Sequence, residues 1–194
     1  MVSGARRARR LAHVIGFDDA PFERQHRGNV LVVGAVYAGV RLEGVLSGKV
    51  RRDGANATRA LVDLVHGSRF AAQLQVILLQ GIAFAGFNVV DLPHLSEALG
   101  IGAVVVVRRP PDLDAVRRAL LGHVRGGARK WRLIERAGPM EEAAGLYVQR
   151  AGVSLADTEA LVRRLQVSST MPEPLRTAHL IAGGIARGES RHRV

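Results

Sequence analysis

The 194-residue sequence has no cysteine, only two lysines (Lys49 and Lys130), few aromatic residues and no long apolar run. Each absence removes a class of protein. Without cysteine there is no disulfide scaffold, thiol nucleophile, thiolate zinc site or iron–sulfur cluster. The longest apolar runs, Val30–Val36 and Ala103–Val107, fall well short of the roughly 18 residues that a membrane-spanning helix needs. Met1–Arg10 is basic, but the apolar stretch behind it reaches only Gly16-Phe17 before Asp18-Asp19, too short for the core of an export signal. The expectation is a basic arm over residues 1–10 on a cytoplasmic protein. Aromatics at 4% leave Val, Leu, Ile and Ala to build the core.

What is present is an ordinary globular composition, 47% hydrophobic and 23% charged, enough for one domain over residues 11–194 with a sizeable core. The charge is lopsided. Lys plus Arg number 28 against 17 Asp plus Glu, a formal +11, with a pI near 11.5. A field of that sign draws polyanions, and arginine suits bidentate phosphate contact, so nucleic acid is the expected partner. An arginine bias also has a second source, a GC-rich genome.

The pattern reads as a mixed α/β chain. Leu11–Phe17 is a buried strand ending at Asp18, and Asn29–Tyr37 with Val40–Val50 form a hairpin around Ala38-Gly39. Asn56 opens a helix carrying Leu61, Leu64 and Val65 at helical spacing. Gln75–Leu79 is a buried strand followed by a glycine-punctuated loop, Gly81–Asn88. A short helix over Asp91–Leu99 leads to the strand Ala103–Val107, and Pro111-Asp112 begins a helix with Leu113, Val116, Leu120 and Val124. Lys130–Ile134 and Gly145–Val148 read as short strands. Ser154 with Asp157 resembles a capping box ahead of Leu155–Leu165, and Pro174 sits in the first turn of a last helix. The order βββαβαβα, then helices, fits one mixed sheet with helices on both faces.

Three stretches hold candidate chemistry. Asp18 and Asp19 end a buried strand, where adjacent carboxylates are costly unless paired, protonated or bound to a cation. Strand alternation lets only one of them face a given site. Either they hold a hard cation such as Mg²⁺ or Mn²⁺, or they turn into solvent as Pro21 breaks the strand. Arg51-Arg52-Asp53-Gly54-Ala55-Asn56 joins strand to helix; Asp53-Gly54 is a turn signal, and N-capping by itself explains Asn56. Gln80–Asp91 follows the fourth strand at the end where α/β folds place ligands; Asn88 and Asp91 are its polar members. Phe84 and Phe87 there either pack in the core, the favoured reading, or stack on a base. No phosphate loop, dinucleotide fingerprint or serine elbow is present. The seven histidines lack metal-ligand spacing and read as surface or capping residues.

Four ordered blocks resemble the family catalogued as domain of unknown function 99. They are Gly16–Phe22, Asp53–Thr58, Gly81–Asp91 and Pro172–His179, continued by Leu180–Ser190. That family resembles endonuclease V, so the resemblance implies a ribonuclease H-like fold and a Mg²⁺- or Mn²⁺-dependent endonuclease acting on DNA or RNA. Carried over, Asp18 matches the first-strand aspartate. The usually acidic helix-opening position falls on or near Asn56, and the aspartate ending the fourth strand falls on Gln80. Two of three implied carboxylates are thus amides, which offer an oxygen but no charge.

The expectation is therefore a metal-dependent endonuclease with a degenerate carboxylate site. Asp18 is the main ligand and catalytic residue with Asp91, and Asp19, Asp53 and Asp91 are substitute metal ligands. Arg51, Arg52, Arg108 and Arg109 are candidate phosphate clamps. The rival is a catalytically inactive nucleic-acid-binding protein on the same scaffold, which Asn56 and Gln80 favour.

Overall fold

The structure is a computed structural model that describes residues 11–190; the expected basic arm over 1–10 lies outside the described residues. Seven strands form one mixed sheet. They are β1 (His13–Asp19), β2 (Asn29–Ala38), β3 (Arg41–Arg51), β4 (Val76–Gln80), β7 (Gly102–Val107), β8 (Glu141–Ala143) and β9 (Leu146–Ala151). Their order across the sheet is β3-β2-β1-β4-β7-β9-β8. The centre, β1-β4-β7, is parallel; β2 and β9 run antiparallel to it on either side, and the edge strands β3 and β8 run antiparallel to β2 and β9. Val, Ile and Leu fill the parallel strands because both of their faces are covered.

Two short strands, β5 (Ala83–Phe84) and β6 (Asn88–Val89), pair with each other inside the stretch expected to be loop. The helices are α1 (Ala57–His66), α2 (Leu92–Leu99), α3 (Leu113–His123), α4 (Gly127–Arg136), α5 (Leu155–Leu165) and α6 (Glu173–Arg187). None of the described helices is long and apolar enough to cross a membrane.

Period-2 alternation sorts the strand side chains between two layers. Val14, Leu78, Val104 and Val106 pack with Leu161 and Leu165 of α5 and Leu175 of α6. Ile15, Ile77, Leu79 and Val105 pack with Leu61 of α1 and Leu95 of α2. A third cluster, around Val89, Leu120 and Ile134, joins α3 and α4 to the β5–β6 hairpin. The mixed sheet with helices on both faces is the architecture the sequence pattern calls for.

The capping reading of Ser154 holds, since its Oγ accepts from the Asp157 N–H at 3.1 Å. One expected element is different: Lys130–Ile134 is not a strand but part of α4. Gly127, Lys130 and Ile134 are its buried residues, spaced for one helical face. Lys130 runs its aliphatic stem through the core and donates from Nζ to the Asp53 carbonyl at 2.5 Å, a long-range contact invisible in a five-residue window.

Candidate functional site

The parallel pairing of β1 with β4 puts Phe17 opposite Leu79. One step further, at the carboxyl ends of both strands, Asp18 lies beside Gln80 on the same face of the sheet. Asp18 is 6% exposed. Its Oδ2 lies 2.7 Å from His179 Nδ1, and its Oδ1 accepts the Asp19 N–H at 3.0 Å. Gln80 Oε1 is buried without any hydrogen-bond partner.

His179 is delivered by α6, which lies over β1 and β2. The approach is close enough that a Cβ on Gly16 would fall 2.6 Å from the Pro174 carbonyl carbon and 2.7 Å from the Leu175 nitrogen. Glycine is thus required where the helix start touches the strand, two residues before Asp18. Tyr37 Oη to Thr177 Oγ1, 2.7 Å, secures the same helix from β2.

Burial pushes the Asp18 carboxyl above its ordinary value, against the opposing pull of His179. The hydrogen bond to Asp18 is the main cause that raises His179. His179 keeps 28% of its side chain exposed, so its ring is accessible from outside.

Asp19 faces the opposite side, as strand alternation requires, and its Oδ2 accepts the Ala85 N–H at 2.9 Å. Burial is the main cause that raises it to about 6. The folded protein therefore takes up this proton at higher pH than the unfolded chain. The ionisation penalty is fully present above pH 6 and relieved below the unfolded value of 3.8. Asp19→Asn keeps an acceptor for Ala85 and removes that penalty. It is expected to stabilise the metal-free protein by about 1–2 kcal/mol at pH 8, with the gain vanishing near pH 4. Urea titrations at the two pH values measure it.

The four carboxylates expected to share a metal do not converge; among the described residues no three His, Asp or Glu side chains are placed to hold one. Asp91 caps α2 through the His94 N–H at 3.3 Å and pairs with Arg136 at 2.8 Å. Asp53 accepts the Phe87 N–H at 2.9 Å and, at φ 50°, turns the chain. Both are held by the loops they organise.

Asn56 departs from expectation as well. It precedes α1 but makes no side-chain cap; its Oδ1 accepts from the Arg51 N–H at 3.0 Å and from Asn88 Nδ2 at 2.8 Å. The cap comes from across the fold. Asn88, fully buried, accepts the Ala57 N–H at 2.9 Å and donates to the Arg51 carbonyl at 2.9 Å. The two loops flanking the site are tied into one unit by this residue and by Asp53 N–H to Ala85 O, 2.9 Å.

Of the candidate phosphate clamps, Arg52 is engaged by the carbonyls of Arg24 and His26 and lies over the Phe22 ring at 5.5 Å. Arg51, Arg108 and Arg109 are exposed. Phe84 is core and Phe87 is half-buried.

His179 is the residue that the sequence reading misplaced among surface histidines. The available signal was its position four residues after Leu175 and beside Ala178, on the apolar side of α6. The donor set at Asp18, with an unpartnered Gln80 oxygen beside it, is all hard oxygen, the kind that Mg²⁺ and Mn²⁺ accept when water and phosphate complete the shell.

This sheet, with its site at the carboxyl ends of β1 and β4, has the fold of endonuclease V. The catalytic domain of human endonuclease V superposes with a TM-score of 0.59 at 16% identity, over 92% of this chain and 83% of that one. Endonuclease V of Ciona intestinalis, in complex with a 24mer DNA containing an inosine, gives 0.55 at 14% identity, over 87% and 83%. A protein of unknown function from Archaeoglobus fulgidus gives 0.83 at 33% identity, over 90% of this chain and 98% of that one.

The chain belongs to the Endonuclease dU family, whose model matches residues 10–186. A UPF0215 protein of Deinococcus radiodurans is 61% identical over 181 residues, covering 93% of this chain and 92% of its own length. A UPF0215 protein of Methanothermobacter thermautotrophicus is 46% identical over 182 residues, 92% and 89% of the two chains.

Proposed function

We propose that this protein is a divalent-metal-dependent endonuclease on a ribonuclease H-like scaffold, hydrolysing a phosphodiester bond of DNA or RNA near a deaminated base such as deoxyuridine. The observation that carries the reading is the Asp18–His179 pair set beside the orphaned Gln80 oxygen, at the strand ends where this fold places its ligands. Asp18 and Gln80 would hold a Mg²⁺ or Mn²⁺ ion, which supplies charge neutralisation at the phosphate and a more acidic bound water. Asp18 fixes the ring of His179 through Nδ1, and the exposed edge of that ring is placed to give a proton to the departing oxygen. The excess of arginine supports the phosphate backbone, and the family's name supports deoxyuridine as the base to test.

A second reading, a nucleic-acid-binding protein without catalysis, is favoured by the amides at Gln80 and Asn56 and because, among the described residues, no three His, Asp or Glu side chains are placed to hold a metal. Mn²⁺-dependent cleavage of labelled DNA and RNA, with and without deoxyuridine or inosine, separates the two. The wild type is expected to cut, and Gln80→Asp to cut at least about tenfold faster at limiting metal, because a charged ligand replaces a neutral one. Salt-sensitive binding with no cleavage from either protein would select the second reading.

A further inference from the structure

A second charged site lies on the face of the sheet opposite His179. Asp18 and Gln80 project with Val14 and Leu78 into one layer, whereas α1 and α2 pack on Ile77 and Leu79 in the other. Between α1, α2 and α4 runs a crevice of about 330 Å³. Val62, Val89 and Leu133 give it apolar surface, and Arg59, His94 and Arg129 stand around it, all three exposed. The volume is in the range of cavities that hold small organic groups.

The charges there do not cancel. Asp91, the one acid on the lining, is engaged by Arg136 at 2.8 Å. Arg59 reaches Asp63 at 3.5 Å, but the two side chains are 87% and 67% exposed, where an ion pair contributes little. Arg129 pairs with no carboxylate among the described residues. Lys130, in the crevice wall, is 5% exposed, and its ammonium donates to the neutral Asp53 carbonyl. Burial opposes that charge, with the Asp53 carboxylate acting the other way. A cation held in the wall raises the potential in the crevice without touching what binds there. The first turn of α1, which supplies Thr58 and Arg59 to the lining, holds no acidic residue, so its dipole adds to the same sign.

We infer that this crevice seats one phosphate of a nucleic acid strand, held between Arg59 and Arg129. The inference rests on the nuclease reading for its choice of nucleic acid as the ligand. The lining supports that choice over free phosphate. Guanidinium groups match phosphate oxygens, and the apolar surface of Val62, Val89 and Leu133 suits the sugar that a strand carries beside each phosphate. A bare inorganic ion leaves that apolar surface in water. Because the crevice faces away from Asp18, it grips the strand without taking part in cleavage. Two arginines on a single phosphate act as one contact. Arginines scattered over a basic surface each neutralise their own phosphate and release their own counterion.

The test is equilibrium binding of a fluorescent DNA duplex in EDTA, where no cleavage occurs, over a series of NaCl concentrations. Arg59→Gln and Arg129→Gln are each expected to weaken binding by about three- to tenfold at low salt. The double variant is expected to lower the slope of log affinity against log salt by about 1. A fall of about 2, the signature of two separate surface contacts, overturns the inference, and so does an unchanged slope. Arg163→Gln, exposed on α5, is expected to bind like the wild type; a loss there as large as at Arg129 also overturns it. Inorganic phosphate at matched ionic strength probes the other source. Binding of that ion to the wild type but not to the double variant, with DNA affinity equal in both, overturns nucleic acid as the occupant. Both arginines are exposed, so the variants are expected to fold, and thermal melts check it. A protein that grips DNA through the crevice but never cuts sinks the nuclease reading and leaves the phosphate seat; one that cuts while the double variant binds as the wild type does the reverse.

Discussion

Asp18→Asn is expected to lower cleavage by about a thousandfold or more while leaving the melting temperature nearly unchanged. The stability half follows from the contacts: an asparagine oxygen still accepts from His179 Nδ1–H, and the site no longer holds a carboxyl whose charged form burial opposes. The activity half follows from charge. Asp18 is the one carboxylate that faces His179, and the oxygen nearest it in the register is an amide. In the proposed mechanism, removing that charge removes both the anionic metal ligand and the group that favours a protonated His179, each a contribution of orders of magnitude in comparable chemistry. Cleavage assays on matched protein, with thermal melts beside them, measure both halves. Retained cleavage by Asp18→Asn would show that the chemistry lies elsewhere.

Gly16→Val is expected to cost about 3 kcal/mol or more of stability. A Cβ at residue 16 meets backbone atoms of Pro174 and Leu175 at 2.6 and 2.7 Å, and backbone cannot rotate away as a side-chain tip would. Relief requires that the start of α6 lift off β1. Since His179 lies on that helix, the displacement also separates it from Asp18, so cleavage should fall along with stability. Gly16→Ala should show the same pair of losses at smaller size. Denaturant titration of both variants reads the first effect and the cleavage assay the second. A Gly16→Val protein within about 0.5 kcal/mol of wild type would mean that α6 does not press on the strand as described.

Much of the sheet was legible because its signal is local. Residues 13–19, 29–38, 41–51, 76–80 and 102–107 alternate or run apolar as strands do, and turn residues separate them. The capping of α5 by Ser154 was legible for the same reason, since cap and helix are three residues apart. Lys130–Ile134 misled because five residues with three apolar side chains suit either a strand or a helix. The choice was made by Leu120 and Asp53, which α4 reaches only in three dimensions.

The site divides in the same way. Asp18 could be singled out from a strand end alone, and its separation from Asp19 followed from the pleat. The turn at Asp53 and the helix start at Asp91 were legible, but the partners of Asp53, Asp91 and Asn56 could not be read, because each lies far along the chain: Phe87, Arg136 and Asn88. Asn88 does the capping that Asn56 was positioned to do, from 31 residues away.

By itself, then, the sequence determined the class of fold, the basic field, the strand-end aspartates and the two amides at Asn56 and Gln80. These rest on periodicity, composition and neighbouring residues. Only the tertiary structure decided that His179 belongs to Asp18, that Asp91 does not, and that Gln80 and Gln149 each keep a buried oxygen without a partner. Hydrogen-bond satisfaction is a property of the packed chain, because the groups that supply or withhold a partner are brought together by the sheet and not by the order of residues.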